Sequence, residues 1–174
     1  MSDKTYLQDA LQSALDFECR GHDYYLAVAG KAKNPLTKEV FTALAGQELI
    51  HMEKIQEVYD NLDFQGVKSH PHAGSVEKLI KGVFDRFAAQ ERDTWVMDNA
   101  DAYEYAKDLE RRSIVMYDGL AKKSDNPVET AFFEALRAEE NDHLIVIENV
   151  YFYLTRTGDW FASQEDRVWN WMNM

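Results

Sequence analysis

The sequence predicts an all-α protein, a four-helix bundle made of two duplicated helical hairpins joined by a long crossover. Helix breakers are few, with 3 prolines and 8 glycines in 174 residues. Apolar residues recur at spacings of three and four, which is typical of amphipathic helices. Residues 11–62 also align with residues 103–154, and about a third of the aligned pairs are identical. Together these observations predict two copies of one helical unit.

The internal repeat extends to residues that an apolar period does not explain. A shared heptad-like pattern would match leucine with leucine, but it has no reason to match acids, histidines, tyrosines and a turn. The identical pairs include Glu18/Glu110, Tyr25/Tyr117, Asn34-Pro35/Asn126-Pro127, Phe41/Phe133, Glu48/Glu140 and His51/His143. We therefore interpret the repeat as a duplication.

Each hairpin contains two helices, expected near residues 5–32 and 36–62 in the first copy and 99–123 and 128–155 in the second. Asn34 and Asn126 precede prolines, so we expect each asparagine to cap a helix and Pro35 and Pro127 to occupy its first turn. Proline tolerates that place because the amide hydrogen that it lacks would have no partner within the helix.

The predicted domain organisation is a bundle over residues 1–156 followed by a tail over 157–174. The crossover, residues 63–98, is expected to begin as a loop and to contain a short amphipathic helix from Val76 to Ala89. The tail is rich in aromatic residues, and we expect them to pack on the bundle or on a second subunit. These residues are Trp160, Phe161, Trp169 and Trp171.

Composition and charge exclude several classes of function. The formal net charge is −12, which argues against binding to nucleic acid or to an anionic membrane, because both require a basic face. Cys19 is the one cysteine, so an internal disulfide and a CxxC redox pair are excluded, and we expect it to be a small buried apolar residue. The chain shows no signal peptide and no apolar run of membrane-spanning length, which predicts a cytoplasmic protein.

Six polar residues lie in the middle of the inward helical stripes, where apolar residues are expected. They are Glu18, Glu48, His51, Glu110, Glu140 and His143. Burying one unpaired carboxylate costs several kcal/mol, and four together cost more because like charges repel. We expect no lysine or arginine on these seams to neutralise them.

Two divalent cations would balance the charge, since four carboxylates carry −4 and two cations carry +4. Glu48 and His51, like Glu140 and His143, are three residues apart, so each pair shares one helix face and can bind one ion. Glu18 and Glu110 would each add a carboxylate from the remaining helices. Nitrogen and oxygen ligands without thiolate favour iron or manganese, with zinc as a possible substitute.

A Glu on each of two helices plus Glu-x-x-His on the other two is the known ligand pattern of ferritin-like di-iron proteins. The sequence resembles that superfamily, and within it most closely the rubrerythrin family, over roughly residues 5–160. The strings that carry the resemblance are Leu15-Asp16-Phe17-Glu18, Leu109-Glu110-Arg111-Arg112-Ser113 and Ala138-Glu139-Glu140-Asn141-Asp142-His143. The resemblance implies a ferritin-like bundle with a carboxylate-bridged centre of two iron ions. It further implies reduction of hydrogen peroxide, or oxidation of Fe(II) by peroxide or dioxygen.

Tyr25 and Tyr117 lie two turns beyond Glu18 and Glu110 on the same stripes. We expect their hydroxyls to hydrogen-bond the ligating carboxylates, or to relay electrons or radicals. The alternative is that they are ordinary core tyrosines.

Two departures from the family pattern stand out. Rubrerythrins usually carry a rubredoxin domain with paired CxxC motifs, which this chain lacks. Its reductant would therefore be a small molecule or another protein, such as a rubredoxin. Rubrerythrins also tend to have a further carboxylate one turn after the Glu of the third helix, where this chain has Ser113, matched by Gly21 in the first copy. These small residues either leave space for an oxidant or allow close helix packing.

The function predicted from the sequence is thus a di-iron oxidoreductase acting on hydrogen peroxide or dioxygen, as a homodimer or larger homo-oligomer. One rival is a ferroxidase or iron-storage protein that assembles as a cage. The other is a metal-binding bundle without turnover.

Overall fold

Four long helices make up nearly all of the part of the chain that the structure, a computed structural model, describes: residues 3–62, 64 and 100–156. The helices are α1 (Asp3–Lys31), α2 (Pro35–Asn61), α3 (Ala100–Lys123) and α4 (Pro127–Thr155). The predicted all-α bundle is confirmed, and every helix end lies within two residues of its expected position. The crossover helix at 76–89 and the aromatic tail lie outside the described residues and stay predictions.

The two Asn-Pro pairs begin α2 and α4 as predicted. The Asn34 side chain accepts hydrogen bonds from the backbone N–H of Leu36 (2.9 Å) and of Thr37 (3.2 Å). The Asn126 side chain accepts one from Val128, also at 2.9 Å. Pro35 and Pro127 follow in the first turn, where the missing amide hydrogen costs nothing.

The chain is organised as two antiparallel hairpins, since α1 packs along α2 and α3 packs along α4. Between Lys31 and Pro35, and between Lys123 and Pro127, only three residues make the turn. Past α2, Leu62 adopts a left-handed conformation with φ of 47°, and its N–H bonds the carbonyl of Val58. Phe64 then turns inward against Phe132 and Phe133, with ring centroids 5.4 and 6.2 Å away.

The buried interior consists of two apolar clusters with a polar layer between them. One cluster is centred on Tyr25, Phe41, Tyr103 and Ile147, and the other on Leu11, Ile55, Tyr117 and Phe133. In every helix, the polar residues of the stripe fall between the residues of one cluster and those of the other. The bundle therefore holds its acids and histidines at mid-height, away from both ends.

Two expectations about single residues were wrong, and one concerns Cys19. Its thiol is exposed, because Cys19 follows the inward-facing Glu18 by one residue and so lies about 100° around the helix. The other concerns basic residues on the seams: Lys107 is buried on α3, where its ammonium binds Glu104 at 2.8 Å and lies 4.1 Å from the ring centroid of Tyr151. No helix among the described residues is both long enough and apolar enough to span a membrane.

Candidate metal centre

All six polar residues predicted from the sequence converge in the middle layer of the bundle. Each of them is at most 2% exposed. Glu18 comes from α1, Glu110 from α3, and the two Glu-x-x-His pairs from α2 and α4. Because the members of each pair are three residues apart, both side chains leave their helix on the same face and reach the bundle axis together.

The ligand atoms form two groups of four, and the atoms of each group lie within 4.8 Å of one another. We name these groups position A and position B. Position A consists of Glu18, Glu48, His51 and Glu140. Position B consists of Glu48, Glu110, Glu140 and His143. Each position thus has one histidine, one carboxylate of its own and two carboxylates that it shares with the other.

The shared carboxylates divide their oxygens between the two histidines. Glu48 presents Oε2 to His51 Nδ1 at 3.4 Å and Oε1 to His143 Nδ1 at 3.4 Å. Glu140 presents Oε1 to His51 Nδ1 at 2.8 Å and Oε2 to His143 Nδ1 at 3.7 Å. A carboxylate with one oxygen toward each of two positions is arranged to bridge two cations.

Several atoms of this layer are buried without a hydrogen-bond partner. They include Nδ1 of His51, Nδ1 of His143 and Oε1 of Glu140. His51 Nδ1 and Glu140 Oε1 are only 2.8 Å apart, yet they do not meet in hydrogen-bond geometry. Buried polar atoms normally have partners, so unpartnered nitrogen and oxygen atoms that converge on common space fit bound cations better than they fit one another. The residues present therefore fit a pair of divalent ions.

Protonation shows how the ion-free layer balances its charge. Burial alone would lower the pKa of His51 and of His143, but the surrounding carboxylates raise both pKa values well above 6.5. The carboxylates thus favour the imidazolium form of both histidines in the ion-free layer, and protonated histidines supply part of the positive charge that the carboxylates require.

The four carboxylates fall into two classes. Burial and the charge of Glu140 raise the pKa of Glu18 and of Glu110 well above 4.5. Burial also opposes ionisation of the shared pair, but Glu18 and the two histidines lower the pKa of Glu48 to about 2, and the charges of the histidines lower the pKa of Glu140 well below 4.5. In the ion-free layer these shifts favour the protonated form of the unshared acids and the ionised form of the shared acids.

The two tyrosines reach across the bundle. Tyr25, on α1, donates its hydroxyl to Oε1 of Glu110 on α3, and Tyr117, on α3, donates to Oε1 of Glu18 on α1. Seven residues of helix separate each tyrosine from the Glu on its own helix by about 10 Å, so the nearer acid is the one opposite. The tyrosines thereby orient the two unshared carboxylates.

Glu139 and Lys54 also belong to this region, although sequence reasoning assigned them no role. Glu139 is 7% exposed and accepts a hydrogen bond from His51 Nε2 at 2.9 Å. Lys54 contacts both oxygens of Glu139, at 3.0 and 3.1 Å. Burial would raise the pKa of Glu139, but the bond with His51 and the Lys54 ammonium lower it. Glu139 stands beside Glu140 in a string already singled out, but spacing along α4 gives no indication that its partner is His51 on α2.

Four further residues near the layer differ in their surroundings: Gly21, Ser113, His22 and Asp142. A Cβ on Gly21 would lie 3.6 Å from Cγ of Glu48, an ordinary van der Waals contact, so the space beside Gly21 would accommodate a methyl group. Ser113 is buried with its hydroxyl unpartnered. His22 is partly exposed and contacts Asp23 at 3.2 Å. Asp142 is half-buried and is not among the carboxylates near His143 Nδ1 in the described part of the chain.

The fold and the layer together define a class: a four-helix bundle with two buried carboxylate–histidine positions that can bind metal ions. Comparison with protein families matches residues 9–151 to the Rubrerythrin family. The chain therefore belongs to the rubrerythrin family, as its resemblance predicted. No curated protein and no solved structure gave a match.

Proposed function

We propose that the protein is a di-iron oxidoreductase of rubrerythrin type, which reduces hydrogen peroxide or dioxygen. The observation that carries the proposal is the pair of positions sharing Glu48 and Glu140, with both histidine Nδ1 atoms unpartnered beside them. Family membership favours iron, and a donor set of nitrogen and oxygen suits iron or manganese better than a thiol-seeking ion.

Two ferrous ions bound there would supply the two electrons that, with two protons, convert one hydrogen peroxide into two waters. The chain's own residues have distinct tasks. Glu48 and Glu140 hold both positions at a fixed separation, and each histidine and each unshared acid completes one position. Tyr25 and Tyr117 fix the unshared acids in place by hydrogen bonds from opposite helices.

The apolar clusters above and below the layer keep bulk water away from it. In such surroundings a charge is stabilised only by groups already in position, so the bundle favours ions whose charge matches that of its acids. We also propose that Ser113, buried one turn after Glu110 with its hydroxyl unpartnered, faces the place where the oxidant binds.

Anaerobic loading with Fe(II), followed by stopped-flow mixing with hydrogen peroxide, tests the proposal. We expect two irons per chain by elemental analysis, about one peroxide consumed per pair of irons, and oxidation faster than that of free Fe(II). Glu48→Gln should abolish the fast phase, whereas Glu53→Gln, an exposed acid five residues further along α2, should retain it. Oxidation no faster than that of free Fe(II) would rule out the enzyme.

The same preparation separates the rival functions. An iron-storage protein would elute as a cage much larger than a dimer and would retain many irons per chain. A bundle without turnover would copurify with a non-redox ion such as Zn²⁺. We propose a homodimer or larger homo-oligomer, reduced by a separate electron donor such as a rubredoxin.

A further inference from the structure

Glu139 contacts the candidate metal centre through His51. Its Oε2 lies 2.9 Å from Nε2 of His51, the ring nitrogen that faces away from the ligand atoms of position A. The ammonium of Lys54 lies 3.0 and 3.1 Å from its two oxygens and holds the carboxylate in place from the other side. The result is a chain of contacts from Lys54 through Glu139 to His51.

This series of contacts determines which nitrogen of His51 is available to bind a metal. An ionised carboxylate only accepts hydrogen bonds, so Nε2 must carry the hydrogen. The lone pair of a neutral His51 then lies on Nδ1, which faces Glu18, Glu48 and Glu140 at 3.5, 3.4 and 2.8 Å. A carboxylate behind a ligating histidine fixes the ring and makes it a stronger donor, and its loss typically weakens metal binding about 10–100-fold.

The internal repeat shows that position B lacks the same support. The residue that corresponds to Glu139 in the other hairpin is Gln47, and the residue that corresponds to Lys54 is Val146. Gln47 can offer an amide oxygen, but it carries no negative charge. Val146 is fully buried and apolar. The two positions have equivalent candidate ligands, yet within the described residues the carboxylate held by a lysine lies behind His51 and not behind His143.

We propose that Glu139 makes position A the tighter of the two metal positions, so that a first divalent ion fills A before a second fills B. The inference rests on the proposed function, because it assumes that the six residues bind two ions. It goes further in assigning Glu139 and Lys54 a positioning role and in making the two ions unequal. An unequal pair allows one ion to stay resident while the other exchanges.

The test is a titration of the full-length, chelator-stripped protein with Co²⁺ against a competing chelator, read by ligand-field absorption. The natural chain should give two dissociation constants about 10–100-fold apart. Glu139→Gln installs the residue that the other hairpin has, and it should weaken only the tighter constant, bringing the two together. Gln47→Glu is the mirror change and should tighten only the weaker constant.

The affected position is identified by combining Glu139→Gln with loss of one unshared ligand. Glu110→Gln leaves position A as the complete one, and there Glu139→Gln should still weaken binding about 10–100-fold. Glu18→Gln leaves position B complete, and there Glu139→Gln should change binding less than about threefold, within the usual scatter between contexts. Circular dichroism of each ion-free variant excludes misfolded preparations from the comparison.

Three results would overturn the inference. The natural chain could show two equal dissociation constants, or Glu139→Gln could weaken both constants alike. The third is that Glu139→Gln weakens binding in the Glu18→Gln background, where position B is the complete one. Each leaves two ions bound, so the proposed function would stand. Binding of no Co²⁺ by the natural chain would instead overturn the proposed metal centre itself.

Discussion

The two hairpins match inside the bundle and differ just outside its polar layer. Inside, each contributes one unshared Glu, one Glu-x-x-His pair and one tyrosine, and the result is a layer in which the shared acids serve both positions. Outside, Glu139 of one hairpin and Lys54 of the other lie behind His51, whereas the residues that correspond to them in the repeat are Gln47 and Val146. If both positions bind metal as proposed, this difference predicts unequal affinities, because the residues behind the two histidines differ.

The largest expected effect distinguishes shared from unshared ligands. Glu140→Gln removes a carboxylate from both positions, so we expect both ions to bind more than about 100-fold more weakly, beyond the usual effect of a change behind a ligand. Glu18→Gln should weaken position A alone and leave about one tightly bound ion. Elemental analysis after dialysis against dilute Zn²⁺ measures the difference. Glu134→Gln, an exposed acid on α4, is the control. One ion held at full affinity by Glu140→Gln would contradict the assignment of Glu140 as a bridge.

A change of pH should change the metal affinity of both positions in the same direction. In the ion-free layer the raised pKa values of His51, His143, Glu18 and Glu110 favour their protonated forms, so bound ions displace protons from these groups. Metal affinity should therefore rise with pH, and fewer protons should be released per ion as the pH rises. Calorimetry in buffers of different ionisation enthalpy counts the released protons. A proton release that does not fall between pH 6 and pH 9 would contradict the raised pKa values.

The same shifts fix the sign of stability against pH for the ion-free chain. A histidine whose pKa is raised on folding contributes stability that is fully present below about pH 6.5 and is lost as the pH rises through the folded value. Bound metal replaces those protons and should remove the loss. Urea unfolding between pH 6 and 9 without Zn²⁺ tests the loss of stability, and the same measurement with Zn²⁺ tests whether bound metal removes it. An ion-free chain whose stability does not fall over that range would refute the assignment of charged histidines.

A smaller effect tests the crossed tyrosines. Tyr25→Phe removes the hydrogen bond to Glu110 and should weaken position B about 10-fold, while Tyr117→Phe removes the bond to Glu18 and should weaken position A by a similar factor. Competition titration with Co²⁺ in Glu18→Gln and Glu110→Gln backgrounds separates the positions. Exposed Tyr105→Phe serves as the control. If each tyrosine affected the Glu on its own helix, the crossed arrangement would be wrong.

The smallest effect concerns the helix caps. Asn34 is buried and accepts two backbone hydrogen bonds, whereas Asn126 is exposed and accepts one. We expect Asn34→Ala to lower the free energy of unfolding by about 2 kcal/mol and Asn126→Ala by about 1 kcal/mol, at the two ends of the usual range for caps. Thermal unfolding of the ion-free protein measures both. Equal losses would show that burial of the cap adds nothing.

Several features of the fold followed from the sequence because local physics determines them. The helix positions follow from apolar spacing, and the starts of α2 and α4 follow from Asn-Pro, since capping and proline geometry depend on adjacent residues alone. The six inward polar residues were also identifiable, because a repeat that keeps Glu and His at core places has no packing reason to do so.

Other features required the folded bundle. Which acid each tyrosine contacts depends on the offset between α1 and α3, and which histidine Glu139 supports depends on how α4 lies against α2. The exposure of Cys19 depends on which side of α1 the neighbouring helices leave uncovered. Spacing along one helix determines which side chains share a face, but contacts between helices depend on rotation and relative height, which the sequence does not encode locally. The sequence thus determined which residues form the buried polar layer, and the packing of the helices decided how they divide into two groups and where those groups differ.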